Sequence, residues 1–234
     1  MASPLEEAVR LLSRVYVLEP LSRDELEELA RRAPGTRVGR GEVFLAAQEE
    51  PGERLFILKE GRVRVYTVDT EGRELTLSVV GGGDIIREVA LTDRRLPEVY
   101  MRAMEPSVVC SLRRKDLERI ILRRPEVGVR LVGLLSERLR LAEIRLAELA
   151  YKDVRARLAS LILRLIESEG VVTGEGYKVP TRYTHQQLAT MIGAGRVAVS
   201  RAFARLREEG VVKLRERRIV VADLKALRRI AGNG

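Results

Sequence analysis

The sequence predicts an α+β fold in three successive parts: an antiparallel β-roll with flanking helices over residues 1–124, a long helix over 125–151, and a compact helical unit with a basic hairpin over 152–234. Three observations predict it. Glycines at 41, 52, 61, 72 and 83 fall at gaps of 11, 9, 11 and 11 and separate short β-branched runs. Short strands at that spacing read as a sandwich or barrel-like roll. Leu135, Leu139, Ala142, Leu146 and Leu149 then recur at alternating steps of four and three. Last, the chain closes on a capped helix, a glycine turn, a second helix and two short strands.

Taken in order, residues 4–33 read as helical, with Ser22 as a cap, Leu26 and Leu29 on one face, and Pro34-Gly35 as the stop. In the roll, Val63 and Val65 alternate with Arg62, Arg64 and Tyr66, and Leu75, Leu77 and Val79 alternate with Thr76 and Ser78. Glu60-Gly61 and Glu71-Gly72 are expected hairpin turns, where glycine supplies positive φ without steric cost. Helix returns at 114–123, and Pro125 suits the first turn of the long helix because its missing N–H costs nothing there.

The five-residue seam on that helix has two readings: a stripe that pairs with a second copy, or a face laid on the protein's own core. Arg138, Arg140, Glu143, Arg145 and Glu148 flank it, and this favours a long dimerisation helix. Asp153, at the junction with the last part, is a hinge residue and the N-cap of a helix carrying Leu158, Leu161, Ile162 and Leu165. The stretch 170–180, with Gly174 and Gly176, reads as a loop or short hairpin.

Thr184-His185-Gln186-Gln187 forms a capping box. The helix it opens carries Leu188, Ala189 and Ile192 and breaks at Gly193-Ala194-Gly195. The next helix turns Val199, Ala202, Phe203 and Leu206 inward and Arg196, Ser200, Arg201 and Arg205 outward. Strands at 211–214 and 218–221 flank Arg215-Glu216-Arg217. Together these describe a winged helix-turn-helix. His185 reads as a helix-start residue.

Composition narrows the function. One cysteine, Cys110, and one histidine, His185, exclude a disulfide framework and leave almost nothing for a zinc, haem or iron–sulfur site, so no metal or cofactor is expected. No nucleophile–base pair supports an enzyme. No apolar run nears the roughly 20 residues a membrane helix needs, no membrane partner is expected, and a reducing cytoplasm is the expected compartment. Residues 1–150 hold 26 basic and 26 acidic side chains, while 151–234 hold 17 and 8, so the whole net charge of +9 falls in the last third. That is the footprint of a polyanion binder, with double-stranded DNA ahead of a membrane surface. Arg196, Ser200, Arg201 and Arg205 would face the major groove, where an Arg can bond bidentately to guanine O6 and N7. Arg215 and Arg217 of the hairpin would take phosphates. A rival reading makes the whole chain a ligand-sensing module whose helical tail serves protein contacts.

The order of β-roll, long helix and winged helix-turn-helix resembles the CRP/FNR family of bacterial transcription regulators. The likeness rests on Gly41-Glu42, Leu55-Phe56-Ile57-Leu58 with Gly61, Gly83-Asp84-Ile85-Ile86 with Glu88, Leu149-Ala150 through Asp153 to Arg157-Leu158, Thr184 to Gly193, and Arg196 to Arg201. The recognition helix is most similar to the cyanobacterial nitrogen-control branch. The resemblance implies a cyclic-nucleotide-binding-like jelly roll, a homodimer, and a pseudo-palindromic site with half-sites about one helical turn apart. It implies an activator that also touches RNA polymerase through the loop around 169–178, with a repressor as the alternative.

The departures from the family pattern bear on the effector. Arg87 replaces the glycine before Glu88, Pro97 and Glu98 stand where an Arg-Ser pair would hold the phosphate, and a Thr-Ser pair on the long helix appears as Ala142-Glu143. A carboxylate repels a phosphodiester and proline removes a backbone donor, so these residues form a degenerate effector pocket and no cyclic AMP binding is expected. The arginine that would help hold 2-oxoglutarate maps near Glu98. Two readings stay open: an unidentified anion at Arg87 or Arg102, or no effector at all. Val197 stands where many members carry Glu, so an apolar contact, for instance to a thymine methyl, would replace a bond to cytosine.

Overall fold

The computed structural model describes residues 3–45, 54–87 and 99–232. The chain forms two compact units that part within the long helix, residues 1–140 and 141–234.

The first unit opens with α1 (Pro4–Leu12) and α2 (Arg23–Arg32), each started by a Ser capping box, at Ser3 and Ser22. The expected single helical stretch is broken between them by a 3-10 turn at Tyr16–Leu18 that buries Val17 and Leu18. The described strands of the roll are β1 (Gly35–Val38), β2 (Val43–Leu45), β3 (Arg54–Glu60), β4 (Arg62–Val68), β5 (Glu74–Gly81), β6 (Asp84–Arg87), β7 (Tyr100–Ala103) and β8 (Ser107–Arg113). They make two antiparallel sheets, ordered β1-β8-β3-β6 and β2-β7-β4-β5. Leu58, Val63, Val65, Met101 and Val109 pack between the sheets. Leu12, Leu18, Leu26, Leu55, Ile57 and Leu112 form a second core under α1 and α2, which α3 (Arg114–Arg123) and the start of α4 (Pro125–Tyr151) complete with Leu117 and Leu131.

Gly41, Gly61, Gly72 and Gly83 all take positive φ at turns, and Gly52 lies outside the described residues. At Gly61 (φ +92°) a Cβ would lie 2.3 Å from Ser107 Oγ, so no other residue fits. The alternation inside the strands, however, is not a simple inside–outside one. Val63 and Val65 point inward, yet Arg64 is only 6% exposed on the opposite face. Its Nε donates to Thr76 Oγ1 at 2.7 Å, it pairs with Glu74, and its guanidinium lies 4.4 Å over the Tyr66 ring. Leu75 and Leu77 face outward while Thr76 is buried. The register of β4 against β5 shifts between Val65, which lies opposite Ser78, and Tyr66, which lies opposite Thr76.

The second unit contains the end of α4, α5 (Val154–Glu169), β9 (Val171–Thr173), β10 (Gly176–Lys178), α6 (His185–Ile192), α7 (Arg196–Glu208), β11 (Val212–Arg215), β12 (Arg218–Val221) and α8 (Leu224–Ile230). Leu158, Ile162, Ala189, Val199, Phe203, Leu206 and Leu227 fill its core. The 170–180 stretch is a hairpin, and it joins the terminal strands in one sheet ordered β11-β12-β10-β9.

Candidate nucleic-acid interface

Local chemistry sets the two helices. Thr184 Oγ1 accepts from Gln187 N at 3.1 Å, and Gln187 Oε1 accepts from Thr184 N at 2.8 Å. Gly193 ends α6 in the left-handed region (φ 60°, ψ 48°), where only glycine is free of strain. Fully buried Ala189 leaves room for α7 to cross closely. Gly195 brings no side-chain cap, so the first N–H groups of α7 remain open to an acceptor.

Val199, Ala202, Phe203 and Leu206 anchor α7, as their spacing implies. Arg196, Val197, Arg201 and Arg205 lie exposed on its other face. Among the described residues none makes a hydrogen bond or ion pair with the Arg196, Arg201 or Arg205 guanidinium. Three unpaired cations on one helix face can grip an anionic surface and offer paired N–H donors to it.

Ser200, expected to face outward, is half-buried, with its Oγ 2.8 Å from His185 Nδ1. The His185 ring also lies 5.3 Å from the Phe203 ring. His185 starts α6, but it also bridges α6 to α7, a partnership fifteen residues long that no local pattern announces.

Arg215 belongs to β11 rather than to the loop, and it pairs with Arg218 across a two-residue turn. Both turn residues, Glu216 (φ 52°) and Arg217 (φ 62°), take positive φ, as the twist of a two-residue hairpin demands. Arg215 is held in a bidentate pair with Glu175 at 2.9 and 3.1 Å, and its bonds pull the Glu175 carboxyl below the usual carboxylate range. Of the three hairpin arginines, Arg218 pairs with Glu216, and Arg217 alone is exposed without an ion pair to a described residue. Arg182, ahead of α6, and Lys213 of β11 are exposed cations that no motif singled out; the local charge excess was the signal for both.

Along α4, Val132, Leu139 and Leu146 recur every seven residues and are 61–69% exposed, with Ala142, Glu143 and Leu149 also exposed. Leu135 departs from the expected seam: it is half-buried against the core of the first unit, and Val132 extends the exposed stripe instead.

At the elbow, Asp153 Oδ1 accepts from Ala156 N at 2.7 Å. Glu148, one of the charges that flank the seam, is only 7% exposed. It accepts from Arg164 Nη1 at 2.9 and 3.0 Å and from Lys152 Nζ at 3.3 Å, and Lys152 also donates to Ser160 at 2.9 Å.

For the degenerate effector pocket, Glu88, Pro97 and Glu98 lie outside the described residues, and Arg87 ends β6. Arg102, one of the two cations open to an anion, has its Nη2 3.2 Å from Tyr66 Oη and 3.3 Å from Glu74 Oε1. A carboxylate of the chain itself already meets it.

Two family models match the chain: a cyclic nucleotide-binding domain over residues 36–124 and a Crp-like helix-turn-helix domain over 156–230. The chain is 32% identical over 184 residues to a cyclic AMP receptor protein of Thermus thermophilus, covering 79% of this chain and 82% of the relative. It is 27% identical over 226 residues to a CRP-like cAMP-activated global transcriptional regulator of Mycobacterium tuberculosis, covering 94% and 98%. A CooA mutant from Carboxydothermus hydrogenoformans shares the fold, with a TM-score of 0.76 at 23% identity over 87% of this chain and 90% of that one.

Proposed function

This chain belongs to the CRP/FNR family of transcription regulators, and from that membership we propose that it is a homodimeric activator that reads a pseudo-palindromic promoter site without cyclic AMP. The observation that carries the DNA-reading part is the row of unpaired guanidiniums on α7. Arg196 and Arg201 supply bidentate donors for guanine edges, and Val197 beside them supplies apolar contact. Arg205 and Arg217 are left for phosphates. Arg215 is a brace for the β9–β10 turn through Glu175, and Ser200 holds α7 to α6 rather than touching a base.

The exposed heptad stripe on α4 supports pairing with a second copy, because three large side chains left in water on one helix face favour burial. The relatives' names speak of cyclic AMP; in this chain Arg87, Pro97, Glu98 and Ala142-Glu143 replace the groups that would hold it. Arg102 is also neutralised by Glu74. A DNA-competent dimer with no effector is the reading these changes support. Activation implies contact with RNA polymerase, and the β9–β10 turn is the segment for it.

Selection of random duplexes on the purified protein with no added effector tests this reading. A two-fold-related consensus is expected, and the Arg196→Ala, Arg201→Ala double variant is expected to lose it while keeping its fold. Recovery of a consensus only after cyclic AMP is added would overturn the effector independence.

A further inference from the structure

On the face of the β1-β8-β3-β6 sheet that meets α1, β3 places Leu55 and Ile57 in the core and then a charge, Lys59. The pairing with β8 slips here: Leu58 lies opposite Val109 and Glu60 opposite Val108, so Lys59 is the extra residue of a β-bulge. Bulges re-aim the side chain they carry. Lys59 is 4% exposed, yet among the described residues its ammonium has no hydrogen-bond or ion-pair partner. The nitrogen itself keeps some accessible surface, so this unpartnered cation opens onto free space rather than into the packed core. Gly35 borders it: a Cβ there would lie at ordinary contact distance, 3.8 Å, from Lys59 Nζ.

Lys59 lines a cavity of about 570 Å³ between α1, β1 and the start of β8. That is the size of a small-molecule site. Leu5, Ala8, Pro34 and Pro106 give it apolar walls, Arg37 adds a second, exposed cation, and Glu7 and Glu60 are exposed carboxylates at its edge. The charge pattern discriminates among anions. The buried group is cationic, whereas the exposed carboxylates repel a doubly charged phosphate more than a single negative charge. The apolar walls call for an aliphatic body.

We propose that this cavity binds a small aliphatic monocarboxylate, its charged end on Lys59 and its chain against α1. None of the described residues that line it belongs to α7, and it stands or falls independently of the DNA-reading proposal.

Hexanoate is the probe, titrated into the full-length protein at constant ionic strength while thermal unfolding is followed, with inorganic phosphate in parallel. Hexanoate is expected to raise Tm saturably, by about 5 °C at a hundredfold excess over Kd, and phosphate is not. Lys59→Met is expected to abolish the hexanoate shift while keeping the circular dichroism and the DNA capture of the parent. Ala8→Phe, which fills the cavity from α1, gives a second and independent block. Absence of a saturable shift overturns the site, and so does an undiminished shift in both variants. An equal response to phosphate overturns the monocarboxylate assignment.

Discussion

Several exposed arginines stand beside a carboxylate: Arg32 beside Asp116, Arg73 beside Asp69, Arg124 beside Glu25 and Arg215 beside Glu175. Such exposed pairs contribute only about 0–1 kcal/mol each. Leaving Arg196, Arg201 and Arg205 unpaired therefore costs the fold little and keeps their donors available. Glu148 is the opposite case. Burial works against its charge, but the Arg164 guanidinium and bonds from Ser160, Arg164 and Lys152 outweigh that and hold the carboxyl below its ordinary range. A carboxyl depressed on folding stabilises above its unfolded pKa, and the contribution is lost as pH falls through the folded value. Glu148→Gln is expected to lower stability by about 2–3 kcal/mol at neutral pH. Urea melts should show the gap to the parent closing below about pH 4. A gap unchanged by acid would mean the carboxylate charge is not what holds the elbow.

Helix α4 asks two things of one amphipathic pattern. Its first turns bury Val127 and Leu131 in the first unit, and Leu134 and Leu135 lean on the same core. Its other side leaves Val132, Leu139 and Leu146 in water. Replacing Leu139 and Leu146 together by Glu places like charges where two copies would meet. The double variant is expected to scatter light at the mass of a single chain and to bind a palindromic duplex at least tenfold more weakly, since each chain then grips one half-site. Dimer mass retained in that variant would show that α4 is not the pairing element.

For the molecule as a whole, charge and fold divide the labour. The first 150 residues balance to zero, and the +9 resides in the part that carries α7 and the hairpin. Each phosphate neutralised contributes about −0.9 to the slope of log K against log salt. Arg205, Arg217, Arg182 and Lys213, doubled by symmetry, offer eight cations, so a slope of about −4 or steeper is expected in fluorescence anisotropy. A slope near zero would instead identify the basic unit as a protein-contact module.

Much of this was legible without coordinates, and for a local reason. Ser22, Thr184 and Asp153 cap helices, Pro125 opens one, and Gly61, Gly72 and Gly193 take positive φ, because each acts within a few residues of itself. The winged unit and its inward residues on α7 follow from such signals, as does the placing of the guanidiniums on the other face. What the tertiary structure alone decided depends on partners far along the chain. His185 withdraws Ser200, Glu175 takes Arg215, the first core takes Leu135, Leu75 and Leu77 fall on the exposed side of β5, and a bulge turns Lys59 into a cavity. A side chain's environment is set by whatever packs against it, and one extra residue in a strand pairing re-phases all that follows, so sequence periodicity marks the strands of this protein but not which of their faces is buried.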